Sequence, residues 1–191
     1  MPIDELHPTL PFKKGYVDYI DKWKQSHNPS LWMTNSCVWY SRLITPKIGK
    51  EEFKEYIMTF HYGNQDVSGD KDKDNGLTHS WLSSSLEISP EEQVAFLQNL
   101  VNRQLPVSSK AYNMTKKIIF VEELPNGWKL YGKIGFCAVM NETRTQKLKD
   151  KHNEWFVGWI EKEDRVIVFA SYIQHWDEYY DPAGREAKAT G

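Results

Sequence analysis

The sequence predicts an α+β fold, a helical lobe packed on an antiparallel sheet. Three observations carry that reading. Apolar residues recur at three- and four-residue spacing between about 30 and 117. Ser89-Pro90-Glu91-Glu92 is a capping box with proline at the first helical position. Beyond 117 the pattern changes to short apolar runs joined by turn residues, among them an Asn-Gly pair. Helices that precede strands in a block, rather than alternating with them, segregate into separate layers.

The elements follow in order. Residues 1–30 read as an irregular N-terminal segment, broken by Pro2, Pro8, Pro11 and Pro29, with one short helical stretch around Val17–Lys24. From Leu31 to Leu43 the pattern predicts a single helix, with Trp32, Asn35, Val38 and Trp39 at helical spacing. Pro46 and Gly49 break it. A helix over Lys50–Phe60 stacks Phe53, Tyr56, Ile57 and Phe60 on one side. Gln65–Thr78 is a polar, Asp-rich loop. The helix begun by the capping box presents Val94, Leu97, Leu100 and Val101, and Ser108 caps another that ends near Lys117. Ile118–Glu122 and Trp128–Lys133 flank Leu124-Pro125-Asn126-Gly127 as a hairpin. Glu154–Glu161 and Arg165–Ile173 form a second, with Asn141–Asn153 as a charged loop between them. The tail 181–191 has room for one or two helical turns. The expected organisation is thus 1–30 irregular, 31–117 helical lobe, and 118–191 sheet lobe with a short C-terminal helix.

Composition excludes several classes of function. The chain has 191 residues, 40% of them hydrophobic and 14% aromatic, with eight Trp and ten Tyr. That is enough for a packed core and an aromatic-walled cleft. A net charge of −2 with no basic stripe gives no footprint for nucleic acid. No apolar run approaches the roughly 18 residues of a membrane span. Met1-Pro2-Ile3-Asp4-Glu5 carries neither the cationic nor the apolar region of a signal peptide, so the expected location is the cytoplasm. Cys37 and Cys137 follow no zinc or redox spacing, and His61, His79, His152 and His175 have no metal-ligand spacing along the chain. No metal and no cofactor is expected.

Four short segments carry a more specific signal: Ser36-Cys37-Val38, Tyr62-Gly63-Asn64, His79-Ser80-Trp81-Leu82 and Lys133-Ile134-Gly135. Their order and setting, including Trp32-Met33 before the first and Trp39-Tyr40-Ser41 after it, resemble the class D (oxacillinase-type) serine β-lactamases, of the penicillin-recognising serine enzymes. The resemblance runs from about Leu10 to Tyr172 and covers the later two-thirds of a family member.

What the resemblance implies is a cleft between the helical lobe and the sheet. Ser36 would relay a proton to the leaving nitrogen of a β-lactam, and Lys133 would supply positive potential. Val38 would wall the general base. Trp81, with Leu82 beside it, would offer an indole donor to a carbamylated lysine. Gly135 would admit the substrate backbone, the Phe136 amide would donate to an oxyanion, and Arg185 is the candidate second ligand for the substrate carboxylate. Tyr62-Gly63-Asn64 would be mainly structural. The family pattern has Thr or Ser where this chain has Ile134. Losing one hydrogen bond to a charged group costs on the order of 1.5–3 kcal/mol, or roughly tenfold in affinity.

The family's reactive Ser-x-x-Lys is the exception. The one such tetrad here is Ser68-Gly69-Asp70-Lys71. It lies in the Asp-rich loop, whereas activation needs an apolar pocket that lowers the lysine pKa. The expectation is a class D β-lactamase-family chain without the N-terminal strands and central nucleophile helix, and inactive by itself. Two alternatives stand beside it: one half of a split enzyme, or a binding module for a β-lactam or peptidoglycan-like ligand. Without those strands Arg165–Ile173 would be an apolar edge, so self-association or a complementing fragment is also expected.

Overall fold

The structure, a computed structural model, describes residues 4–141, 143 and 146–175. Arg185 and the tail 181–191 lie outside the described residues. Six helices precede four strands: α1 Pro29–Asn35, α2 Val38–Ile44, α3 Lys50–Thr59, α4 Gly76–His79, α5 Pro90–Val101 and α6 Ser109–Ile118, then β1 Phe120–Glu123, β2 Lys129–Met140, β3 Lys147–Lys162 and β4 Arg165–His175. The strands form one antiparallel sheet in the order β1-β2-β3-β4. This is the α+β, helix-on-sheet architecture that the sequence predicts.

Local chemistry accounts for the strongest boundaries. The Ser89 side chain accepts from the Glu92 amide while the Glu92 carboxylate accepts from the Ser89 amide, so α5 starts with both donors satisfied. Ser108 caps α6 by accepting from the Ala111 amide. The Asn-Gly turn between β1 and β2 uses Asn126 and Gly127 at positive φ, where these two residues cost least.

Three expectations are corrected. Leu31–Leu43 is not one helix: Ser36 adopts φ 51°, ends α1, and a new helix starts at Val38. The Ser36 and Cys37 amides turn back to the carbonyls of Met33 and Trp32, which satisfies the helix end and redirects the chain. Asn141–Asn153 is mostly strand, because β3 starts at Lys147 and pairs with β2 out to Met140 opposite Lys147, across a register shift between Ala138 and Met140. Charged side chains conceal a strand when only one of its faces is covered. Val17–Lys24 reduces to a single 3-10 turn at Asp21–Trp23.

The core is in three parts. Trp23, Cys37, Trp39 and Tyr40 anchor the irregular N-terminal segment against α1 and α2, helped by the backbone bridge between Leu10 and His27. Leu97 of α5 packs on Tyr131 and Trp159 from one sheet face. Leu130 and Phe156 gather Ile134, Phe169 and Ile173 on the other. Among the described residues β4 pairs with β3 alone, and Val166, Ile167 and Tyr172 are exposed on it.

Candidate active-site cleft

The break between α1 and α2 builds the first part of the site. A non-glycine residue in the left-handed region costs on the order of 1–3 kcal/mol unless its surroundings hold it there. Here Cys37, fully buried, and Trp39 and Tyr40 pin the chain on one side of Ser36. On the other side Trp23 donates its indole N–H to the Asn35 carbonyl at 2.8 Å. Trp32 reaches over the break to donate to Ser41 Oγ at 2.8 Å. The Ser36 hydroxyl is thereby turned out of the helix and toward the sheet.

It meets Lys133. The Lys133 ammonium donates to Ser36 Oγ and, at 2.8 Å, to the carbonyl of Ile134. Burial pushes the Lys133 pKa down from 10.5 to about 8, because a cation loses hydration there without a carboxylate to replace it. Since Ser36 Oγ accepts from the lysine, its own proton is left for another acceptor. The pair is therefore a hydroxyl free to donate, backed by an ammonium with a lowered pKa, an arrangement able to pass a proton.

β2 arranges the next positions by alternation. Gly135 shares a face with Lys133, and Ile134 and Phe136 point the other way. Ile134 joins the apolar cluster around Leu130 and Phe156. The Phe136 ring lies 5.0 Å from the His152 ring. The Ile134 alkyl group is thus engaged in sheet packing rather than projecting beside Lys133. The Gly132 N–H donates outward to the Ile119 carbonyl, and the same alternation aims the Phe136 N–H along that outer edge. Beyond Gly132 this edge carries no strand among the described residues.

Trp81 and Leu82 lie in the loop after α4, and both are half-buried. The loop touches β2 where Ser83 hydrogen-bonds Cys137, whose thiol burial pushes up. Its other side is held by a belt of polar contacts. Ser84 donates to Asp70 at 2.9 Å, Ser85 to the Asp66 carbonyl at 2.9 Å, and Asn64 Nδ2 to the Ser85 carbonyl at 2.8 Å. Hydrogen bonds from Asn75 first, then Ser84 and Lys73, hold the Asp70 carboxyl below its usual range. Gly63 locks the belt: it sits at φ 54°, and a Cβ there would fall 1.9 Å from the Glu87 carbonyl oxygen. Trp81 packs edge-on against Phe53, 6.4 Å between centroids.

The structure therefore brings Ser36 and Lys133 into contact, with Gly135 and the Phe136 amide following along the same strand. Val38 opens α2 next to them and is half-buried against the Trp39 cluster. Trp81 and Leu82 share the loop that follows α4. Ser68 and Lys71 are both exposed, on the rim of a 280 Å³ cavity bounded by Asp66, Asp70 and Ser83–Ser85. No apolar pocket surrounds that lysine.

Sequence reasoning missed Arg42. It donates to His79 Nε2 at 2.7 Å, while His79 Nδ1 meets Thr78 Oγ1 at 2.7 Å. Burial, then the Arg42 charge, lowers the His79 pKa. The spacing from α2 to α4 gives no local signal for this pair.

Comparison with known proteins gives the chain's relatives. The penicillin binding protein transpeptidase domain matches residues 1–190. Beta-lactamase OXA-9 of Klebsiella pneumoniae is 42% identical over 160 residues, which are 84% of this chain and 58% of that protein. The chain thus spans under two-thirds of the length of that curated relative. The crystal structure of OXA-427 class D beta-lactamase superposes with a TM-score of 0.91 at 39% identity, covering 98% of this chain and 76% of that one. The C-terminal domain of the Bacillus licheniformis BlaR penicillin-receptor superposes with a TM-score of 0.78 at 28% identity, covering 94% of this chain and 65% of that one.

Proposed function

Because the chain belongs to the penicillin-binding transpeptidase family, on its class D β-lactamase branch, we propose that it forms the Ser36–Lys133 wall of a β-lactam-binding cleft and that these 191 residues alone neither acylate nor hydrolyse. The observation that supports the first half is the hydrogen bond between Ser36 and Lys133, two residues 97 positions apart in the chain. Below pH 8 the lysine is mostly protonated. It can then attract the carboxylate of a β-lactam or of a peptidoglycan-like peptide, while the Phe136 amide would serve as an oxyanion donor.

The second half rests on the chemistry of acylation. A serine nucleophile needs a base beside it in a pocket that lowers the base's pKa. Ser68 and Lys71 have no such pocket, and Ser36 accepts from its lysine rather than giving up a proton to it. Likeness to a penicillin receptor favours a related reading, in which the cleft holds its ligand without turning it over.

The deciding measurement is intact-protein mass after incubation with excess penicillin and bicarbonate, beside a colorimetric cephalosporin assay. The expected result is no mass shift and no hydrolysis. Calorimetry should still find saturable penicillin binding, weakened at least tenfold in Lys133→Ala, as follows from losing a charged hydrogen-bond partner. A shift by one penicillin mass would overturn the inactive reading, with Ser36→Ala and Ser68→Ala locating the nucleophile. Binding unaffected by Lys133→Ala would overturn the cleft itself.

The exposed edge of β4 supports a companion proposal, that the chain self-associates or recruits a complementing fragment. Val166, Ile167 and Tyr172 stand exposed along a strand that, among the described residues, has one partner, and such an edge templates further pairing. Size-exclusion chromatography with light scattering is expected to give a species heavier than 22.4 kDa. A concentration-independent monomer would refute it.

A further inference from the structure

On the sheet face away from Lys133, His152 and Glu154 of β3 stand two residues apart, so both side chains leave the strand on the same side. The β3–β4 register sets His175 directly opposite His152. One ligand atom from each of the three lies within 4.8 Å of the others. The two imidazoles stack with centroids 4.6 Å apart and 17° between planes. His152 Nε2 is 3.7 Å from Glu154 Oε1, outside hydrogen-bond distance.

Glu154 is the residue that needs explaining. It is 0% exposed, and among the described residues neither of its carboxylate oxygens has a hydrogen-bond partner. A carboxylate removed from water without compensation is among the most costly groups to bury, and such groups are retained where they pair or coordinate a metal. Packing alone does not account for it, since Phe156 next along the same face shows that an apolar side chain suits this surface.

We propose that His152, Glu154 and His175 form a divalent-cation site of the zinc class. Two imidazole nitrogens and one carboxylate oxygen are a donor set that Zn²⁺ accepts, with a fourth position left for water. Around a tetrahedral zinc, ligand atoms stand about 3.3–3.5 Å apart, so the three groups need to draw together by roughly an ångström. Rotamer changes supply that movement, since the backbone pairing already fixes the Cα positions. The cation would neutralise the buried carboxylate and clasp β3 to β4, the last strand of the sheet among the described residues. It would also stiffen the strand register opposite Phe136, which touches His152 from β2. This inference is independent of the β-lactam reading, because it uses the opposite sheet face.

The test is titration of Zn²⁺ into the full chain, stripped of metal by a chelator, with calorimetry and thermal unfolding as readouts. The expected result is one Zn²⁺ per chain and a higher unfolding midpoint with metal. Glu154→Gln should weaken binding at least tenfold and abolish the rise in midpoint, while His61→Ala changes neither. Glu154→Gln keeps the shape and removes the carboxylate ligand, so the fold should persist, which far-ultraviolet circular dichroism checks. If that variant fails to fold, His175→Ala at the strand end reads the same site. Weak, non-stoichiometric uptake, or a Glu154→Gln or His175→Ala variant that binds as tightly as the parent, would overturn the proposal.

Discussion

Replacing Trp39 by alanine is expected to lower the free energy of unfolding by about 3–5 kcal/mol. The ring is 2% exposed and stands at the centre of an aromatic cluster. Tyr16 stacks on it at 5.2 Å, Phe12 and Tyr40 meet it edge-on at 6.3 and 6.0 Å, and His27 at 5.2 Å. Its indole N–H donates to the Trp23 carbonyl at 2.9 Å, so truncation also leaves a buried carbonyl unpaired. A loss this large is a substantial part of the stability of an ordinary domain. The same cluster pins the chain after Ser36, so penicillin binding should weaken along with stability. Urea unfolding followed by circular dichroism measures the first effect. A loss below about 1 kcal/mol would mean that the N-terminal segment does not pack on α1 and α2 as described.

Lys133→Met is expected to flatten the pH dependence of stability in the alkaline range. Burial holds the Lys133 pKa at about 8 in the folded chain against 10.5 for the free group. Between those values the unfolded chain keeps a proton that the folded chain has released. Stability attributable to this lysine therefore rises as pH climbs through the window and levels off above it. Below pH 8 both states are protonated and the cost of burying the cation is fully present. The full shift corresponds to roughly 3 kcal/mol. Because the side chain is only half-buried, screening by solvent brings the expected rise to about 1–3 kcal/mol.

Subtracting the Met variant's curve from the parent's cancels every other titrating group. At pH 7 the variant should match or exceed the parent in stability while losing penicillin affinity, the exchange of stability for function expected of a residue kept for its charge. Parallel stability curves for the two chains between pH 8 and 10.5 would sink the assignment of a lowered pKa to Lys133.

Different parts of the molecule were legible to different degrees. Helix α5 could be read directly, because its start is specified by Ser89, Pro90 and Glu92 within four residues of chain. The hairpin of β1 and β2 could be read for the same reason, since Asn126 and Gly127 carry the positive φ the turn needs. The α1–α2 break could not. Trp32, Asn35, Val38 and Trp39 keep helical spacing across Ser36, and the periodicity gives no sign that Ser36 leaves the helix. The inward pull of Cys37, Trp39 and Tyr40 and the hydrogen bonds across the break decide it. The start of β3 was hidden in a similar way, because Lys147, Lys149 and Lys151 alternate with residues whose burial depends on β2 and β4.

By itself the sequence determined the α+β class, the capped helices, the turn between β1 and β2, and the family. Each of these is written in residues close together in the chain or in ordered short segments. Only the tertiary structure decided that Ser36 touches Lys133, that Arg42 meets His79, that the Ile134 side chain faces away from Lys133, and that His152, Glu154 and His175 converge. Those contacts join residues distant in sequence. The antiparallel register and the packing of a helical lobe on a sheet create them, and burial then changes the chemistry of the groups they enclose.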